Sequence, residues 1–155
     1  MKQYFLKREN EETMNYKYYD FLSPDVKMIR EKVFIQEQGF ENEFDETDKI
    51  AQHIVLYNEE MPIATCRIFK GDDDREYILG RLAVIREYRG KGLGSAMLKE
   101  AENLVIQNGG NTLTLHAQCR VKEFYVNLGY SEFGDVDYDE DCPHIWIRHM
   151  NLQRK

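Results

Sequence analysis

The chain has 155 residues, 42% hydrophobic and 32% charged, with a net charge of −7, the composition of one globular domain large enough to bury a core without staples. The acidic balance argues against nucleic acid as a partner, no apolar run reaches the length of a membrane span, and Met1–Thr13 lacks the apolar stretch of a secretory signal. Three scattered cysteines, Cys66, Cys119 and Cys142, do not make a disulfide framework, and a reducing cytoplasm fits them best.

In chain order, residues 1–14 read as a short N-terminal extension and residues 15–155 as the domain proper. Tyr16–Phe21 (YKYYDF) is aromatic enough to be a first strand. Ser23-Pro24 supplies an N-cap and a proline at the first helical position. Val26, Ile29 and Val33 then stripe a helix that Gly39 stops. The acidic run Glu41–Asp48 (ENEFDETD) reads as a solvated loop with room for a short second helix, or as a rim that attracts cations. Ala51–Tyr57 and Ile63–Phe69 flank Asn58–Pro62 as a hairpin, and Gly71-Asp-Asp-Asp74 turns the chain into Tyr77–Ile85 (YILGRLAVI), an apolar strand.

A helix follows, with Leu93, Ala96, Met97, Ala101, Leu104 and Val105 at helical spacing and Gly109-Gly110 at its end. Thr112–Ala117 is the next strand, Val121, Phe124, Tyr125 and Leu128 share one face of a helix stopped by Gly129, and Tyr130–Val136 and His144–Met150 are strands around a second acidic run, Asp135–Asp141. The order β-α-(α)-β-β-β-α-β-α-β-β predicts an α/β single domain with a mixed central sheet of six to seven strands, antiparallel at first, flanked by helices.

Between the apolar strand and its helix lies Glu87-Tyr-Arg-Gly-Lys-Gly-Leu-Gly-Ser95 (EYRGKGLGS), with glycines at alternate positions framed by Arg89 and Lys91. A helix start offers unpaired N–H groups and about half a positive charge, and glycines let a ligand close in, so the stretch predicts a phosphate cradle. A P-loop would need Ser or Thr after Lys91, and a dinucleotide fold would need glycine where Met97 stands and an acid where His116-Ala-Gln118 stands. Neither pattern is met.

The segment Arg89-Gly-Lys-Gly-Leu-Gly94 instead resembles the Arg/Gln-x-x-Gly-x-Gly/Ala signature of the GNAT family of acyl-CoA-dependent N-acetyltransferases, and Phe124-Tyr-x-x-x-Gly-Tyr130 falls where that family has its second signature. The likeness runs from about Tyr16 to Met150. Phe34-Ile-Gln-Glu-Gln38, Asp45-Glu-x-Asp48, His53, Ala117-Gln118 and Cys142-Pro-His144-Ile are further similar to the small bacterial ElaA-like branch.

The resemblance implies acetyl transfer from acetyl-CoA to a primary amine by direct attack in a ternary complex, on the single-domain GNAT fold. The cofactor diphosphate would lie on the backbone of Arg89, Gly90, Lys91, Gly92, Leu93, Gly94 and Ser95. The pantetheine arm would pair with the main chain of Leu82, Ala83 and Val84 beside a bulge, with an N–H of Ala83 or Val84 as oxyanion donor. Gln118 stands where many members carry Asn and keeps the amide for a cofactor contact. Tyr125 takes the general-acid position, an ordinary phenol being protonated at neutral pH. For the base, Glu37, His53, His116 and His144 are candidates, with Glu37 and His144 first because they adjoin the two acidic runs. Arg67 and Arg81 either bind an acidic group of the acceptor or act as salt-bridged spacers.

Cys142-x-His144 with His149 lacks the companions of a metal site, so no metal is expected. The acceptor expected is a cationic small-molecule or protein amine, with no nucleic acid and no membrane as partner. Such folds often pair through their C-terminal strands, and the edge around Ile145-Trp-Ile147 would serve a homodimer. The competing class is a non-catalytic acyl-CoA-binding sensor or regulatory module on the same fold.

Overall fold

The computed structural model describes residues 3–7, 13–41 and 43–153. Its elements are strand β1 (Gln3–Lys7), β2 (Thr13–Tyr19), helix α1 (Pro24–Arg30), β3 (Gln52–Asn58), β4 (Met61–Lys70), β5 (Glu76–Val84), α2 (Leu93–Gln107), β6 (Thr112–Gln118), α3 (Lys122–Val126), β7 (Ser131–Asp139) and β8 (Cys142–His149). The mixed sheet has eight strands in the order β1-β2-β3-β4-β5-β6-β8-β7. The strand beyond the six or seven expected is β1, which lies in the N-terminal extension and pairs antiparallel with β2 from Gln3↔Lys17 to Lys7↔Thr13. The rest of that extension, residues 1–2 and 8–12, lies outside the described residues.

The chain forms two compact units, Met1–Phe69 with Arg81–Ala101, and Lys70–Gly80 with Glu102–Lys155. In the first, β2, β3 and β4 run antiparallel, with a bulge between Leu56 and Tyr57. Ser23 caps α1 by accepting the Val26 N–H at 3.3 Å, and Pro24 opens it. The helix then widens into a π turn over Glu31–Glu37 and ends at Gly39, whose φ of +78° a side chain would resist. Val26, Ile29, Val33 and Phe34 from this helix pack with Val55 and Tyr57 of β3 and with Ala83 and Ile85. That core anchors the end of β5 beside the glycine turn.

In the second unit, the start of β5 pairs parallel with β6 from Glu76↔Thr112 to Leu79↔Leu115. β6 continues beyond that point against β8, from Leu113↔His149 to Gln118↔His144, and β7 pairs with β8 across a bulge between Phe133 and Asp137. Alternation splits this sheet into two faces. Leu113, Leu115, Ala117, Ile145 and Ile147 are buried on one face. Tyr130 and His149 lie on that same side with ring centroids 5.3 Å apart, and Tyr125 of α3 packs on Tyr130. The opposite face carries His116, Gln118, His144 and Trp146.

Candidate active site

In the first unit the glycine turn has the backbone its sequence implies. A short 3-10 turn over Arg86–Tyr88 leads into it. Gly90 and Gly92 both take left-handed φ, +78° and +77°, and an added Cβ at either would meet nothing within 4 Å. Backbone conformation therefore requires two of the three glycines. Gly94 sits inside the first turn of α2. There an alanine would be the better helix former, by about 1 kcal/mol in a helix interior. The first intrahelical bond runs from Ala96 N–H to the Gly92 carbonyl at 3.1 Å. Helix geometry thus leaves the N–H groups of Leu93, Gly94 and Ser95 without an intrahelical acceptor. No acidic residue stands in that first turn, so the positive end of the helix dipole keeps its pull on an anion.

The side chains around the turn are less free than the sequence suggests. Arg89 grips both carboxylate oxygens of Glu37, at 2.5 and 2.7 Å, and its Nε–H donates to the Val84 carbonyl at 2.9 Å. Arg86 approaches the same carboxylate at 3.3 Å. The Arg89 hydrogen bond is the main reason that Glu37 is held down to about 2, with Arg86 adding to it against a modest burial penalty. A carboxylate this weakly basic is a poor acceptor for an ammonium proton. Lys91 lies over the Tyr88 ring at 5.3 Å. Leu82, Ala83 and Val84 follow Arg81, a non-glycine residue at φ +53°, which kinks β5 where a bulge was expected. The next N–H, that of Ile85, is bonded to the Ile63 carbonyl at 2.9 Å.

The acidic segment after α1 is only in part the solvated loop expected: Glu41, Asp45 and Glu46 are exposed, and Glu46–Lys49 form a short 3-10 helix. Glu43 and Asp48 turn inward and are buried, together with Arg30 and Arg67. Arg30 bonds Glu43 at 2.6 Å and Asp48 at 2.7 Å; Arg67 bonds Asp45 and Asp48, each at 2.7 Å. Arg81 reaches Glu43 at 3.2 Å and Asp45 at 3.3 Å. Three guanidinium groups thus meet three carboxylates, and Arg67 and Arg81 are the salt-bridged spacers of the two readings. Burial works to raise Asp48, but hydrogen bonds from Arg30 and from the Asp45 N–H outweigh it and hold the carboxyl well below its usual range. The sequence reading missed Arg30. Its signal was position: Arg30 is one helical turn after Val26 and adjoins Ile29, inside the apolar stripe, where a cation needs a buried partner. His53 is fully buried and its Nε2–H donates to the Asp48 carbonyl at 3.0 Å. Burial lowers its proton affinity, and it belongs to this network.

In the second unit, Tyr125 is buried, edge-on to Phe124 at 4.9 Å and to Tyr130 at 6.0 Å. The Gln118 carbonyl oxygen accepts from Arg120 Nε–H at 2.7 Å. On the other face of the sheet His144, 7% exposed, has Nδ1 2.8 Å from the Cys142 carbonyl. A carbonyl only accepts, so Nδ1 carries the proton and the lone pair of the neutral ring falls on Nε2. His144 stacks on His116, centroids 4.7 Å apart, and His116 stacks in turn on Trp146 at 4.7 Å. His116 Nε2–H donates to Asp137 at 2.5 Å. The structure therefore brings two of the proposed bases together, with two residues, Asp137 and Trp146, that sequence reasoning left out. Strand alternation across β6 and β8 was the available signal for Trp146, whereas the bulge before Asp137 hid its face.

The Acetyltransferase (GNAT) domain model matches residues 19–152. The uncharacterized N-acetyltransferase YjcF of Bacillus subtilis (strain 168) is 31% identical over 124 residues, covering 78% of this chain and 87% of that protein. Among solved structures, Escherichia coli ElaA superposes with a TM-score of 0.75 at 26% identity, over 88% of this chain and 99% of that one. An aminoglycoside 6'-N-acetyltransferase complexed with coenzyme A shares the fold, with a TM-score of 0.69 at 15% identity over 90% and 98% of the two chains. The chain belongs to the GNAT acetyltransferase family.

Proposed function

We propose that this protein transfers the acetyl group of acetyl-CoA to a primary amine by direct attack. The observation that carries the proposal is the start of α2: left-handed Gly90 and Gly92, open space at both, a small residue inside the first turn, and no acid to neutralise the helix end. This arrangement fits a diphosphate held by backbone N–H groups. The coenzyme A held by a protein of the same fold adds support.

Acetyl-CoA supplies a thioester carbonyl, and the chain supplies the rest. The main chain of Leu82–Val84 pairs with the pantetheine amides, and an N–H of Ala83 or Val84 faces the developing oxyanion. His144 Nε2 takes the ammonium proton, a role that suits it better than the arginine-bound Glu37. The amine nitrogen then bonds to the carbonyl carbon and gives its second proton to solvent, the carbon–sulfur bond breaks, and Tyr125 O–H gives its proton to the departing thiolate and regains one from solvent. Arg89 acts through Glu37 and Val84, holding the end of β5 and the end of the first helix to the turn.

A thermal-shift comparison of CoA, NAD and ATP tests the cofactor. At a hundredfold excess over Kd, CoA should stabilise the fold by about 2.7 kcal/mol. Equal shifts with NAD or ATP would overturn the assignment. Thiol release with a panel of amines then separates an enzyme from a sensor that binds CoA without turnover.

A further inference from the structure

The outward face of β6, β8 and β7 has a composition that neither packing nor the acetyl-transfer roles explain. His144, His116 and Trp146 form a continuous column of stacked rings, and Phe133 lies against Trp146 at 6.4 Å. Register places Asp137 opposite His144 and Asp139 opposite Cys142, so both carboxylates project on the ring side of β7. Glu140 and Asp141 extend the negative charge around the hairpin tip. The basic residue on this face of β8, Arg148, is drawn to the far end, 4.5 Å over the Phe133 ring.

The ring faces are taken up by stacking on one another, so the column offers its edges to an aliphatic chain, and the carboxylates beside it attract ammonium groups through charge. A second observation points to a ligand. His144 is more than nine-tenths buried, and its Nε2 has no hydrogen-bond partner among the described residues.

We propose that this face is the acceptor subsite and that it takes an aliphatic polyamine. The primary amine to be acetylated meets His144 Nε2, and a second ammonium lies along the His116–Trp146 rings against Asp137 and Asp139. A dication uses both ends of the face, which a neutral alcohol or a monoamine cannot do. The role of His144 here rests on the acetyltransferase reading; the ammonium site along the rings does not.

Trp146 is the sole tryptophan of the chain, so its emission reports occupancy of this face directly. The experiment titrates the whole protein with spermidine, and separately with butane-1,4-diol, without acetyl-CoA. Spermidine should give a saturable change in Trp146 emission, and the diol none. The Asp137→Asn/Asp139→Asn double variant should bind spermidine at least tenfold more weakly. Both positions are exposed, so the variant should keep its fold, which circular dichroism checks. No saturable change, an equal response to the diol, or unweakened binding by the variant would each overturn the subsite. So would an emission change that follows protein concentration alone, which would assign the face to a second copy of the chain. Spermidine binding without thiol release from any amine of the panel would leave the ammonium site standing and refute the transferase reading. Thiol release with monoamines and no spermidine response would do the reverse.

Discussion

Gly94 offers a test in which stability and binding move in opposite directions. It lies in the first turn of α2, in helical backbone, so alanine there restricts the unfolded chain and suits the helix. Gly94→Ala should add up to about 1 kcal/mol, which for a chain of this size is about 2–4 °C in Tm. Its single methyl should leave CoA binding nearly intact. Gly94→Val should keep stability within about 0.5 kcal/mol of wild type, because valine and glycine differ little in helix propensity. Its branched side chain, however, fills the space above the first-turn N–H groups. The CoA-induced shift of roughly 5–10 °C at a hundredfold excess over Kd should then disappear. Gly92→Ala behaves differently. No atom lies within 4 Å of the new Cβ, so its cost is that of alanine at φ +77°, about 1–2 kcal/mol. Differential scanning fluorimetry with and without CoA reads all three. An undiminished CoA shift in Gly94→Val would refute the cradle and leave the glycines as turn residues only.

Three further outcomes follow from the same geometry. Arg30→Met removes the guanidinium that joins Glu43 and Asp48, leaving Glu43 with Arg81 and Asp48 with Arg67; urea unfolding should show a loss of about 3–5 kcal/mol, and a loss under about 1 kcal/mol would mean the remaining two arginines suffice for the carboxylates. Glu37 and Asp48 both sit below their ordinary values of 4.5 and 3.8, so the stability they contribute is fully present above those values and is lost as pH falls, for Glu37 down to about 2. Tm should thus be insensitive to these two groups above pH 5 and fall below it, and Glu37→Gln should remove only a small part of the drop because that pair is partly solvated. His144→Gln keeps a donor for the Cys142 carbonyl but no base; kcat/KM should fall by about 10²–10⁴, while the CoA thermal shift is unchanged.

Much of the fold was legible because its signals are local. Ser23-Pro24, the apolar stripes and the glycines at Gly39, Gly109 and Gly129 each act within a few residues of where they stand. The widening of the first helix over Glu31–Glu37 was not legible, since apolar spacing does not report which carbonyl an N–H selects. That choice matters to the site, because Glu37 ends the widened turn and meets Arg89 there. The burial of Glu43 and Asp48 within the acidic segment was missed for a related reason. Charge runs are usually solvated, and only the three-dimensional arrangement brings Arg30, Arg67 and Arg81 to the carboxylates. At the site, the glycine turn could be read as a motif, whereas the stacked column could not. His116, His144 and Trp146 are scattered in sequence and become neighbours through the β6–β8 register, with His116 opposite Trp146.

The proposed mechanism gives the two protons to different residues, the amine proton to His144 and the sulfur proton to Tyr125. The base must act on the amine before or during attack, and the acid on sulfur as the tetrahedral species collapses. Tyr125→Phe separates these events. The phenyl ring keeps its edge contacts with Phe124 and Tyr130, so stability should change by no more than about 1 kcal/mol. Loss of the hydroxyl should lower kcat by about 10²-fold with CoA affinity unchanged, since its help comes only in the transition state. Steady-state thiol release, beside CoA binding and thermal melting, measures all three quantities. A kcat within about twofold of wild type would remove Tyr125 from the mechanism and leave the thiolate to take its proton from water. A kcat loss accompanied by an equal loss of CoA affinity would instead make the hydroxyl a binding group.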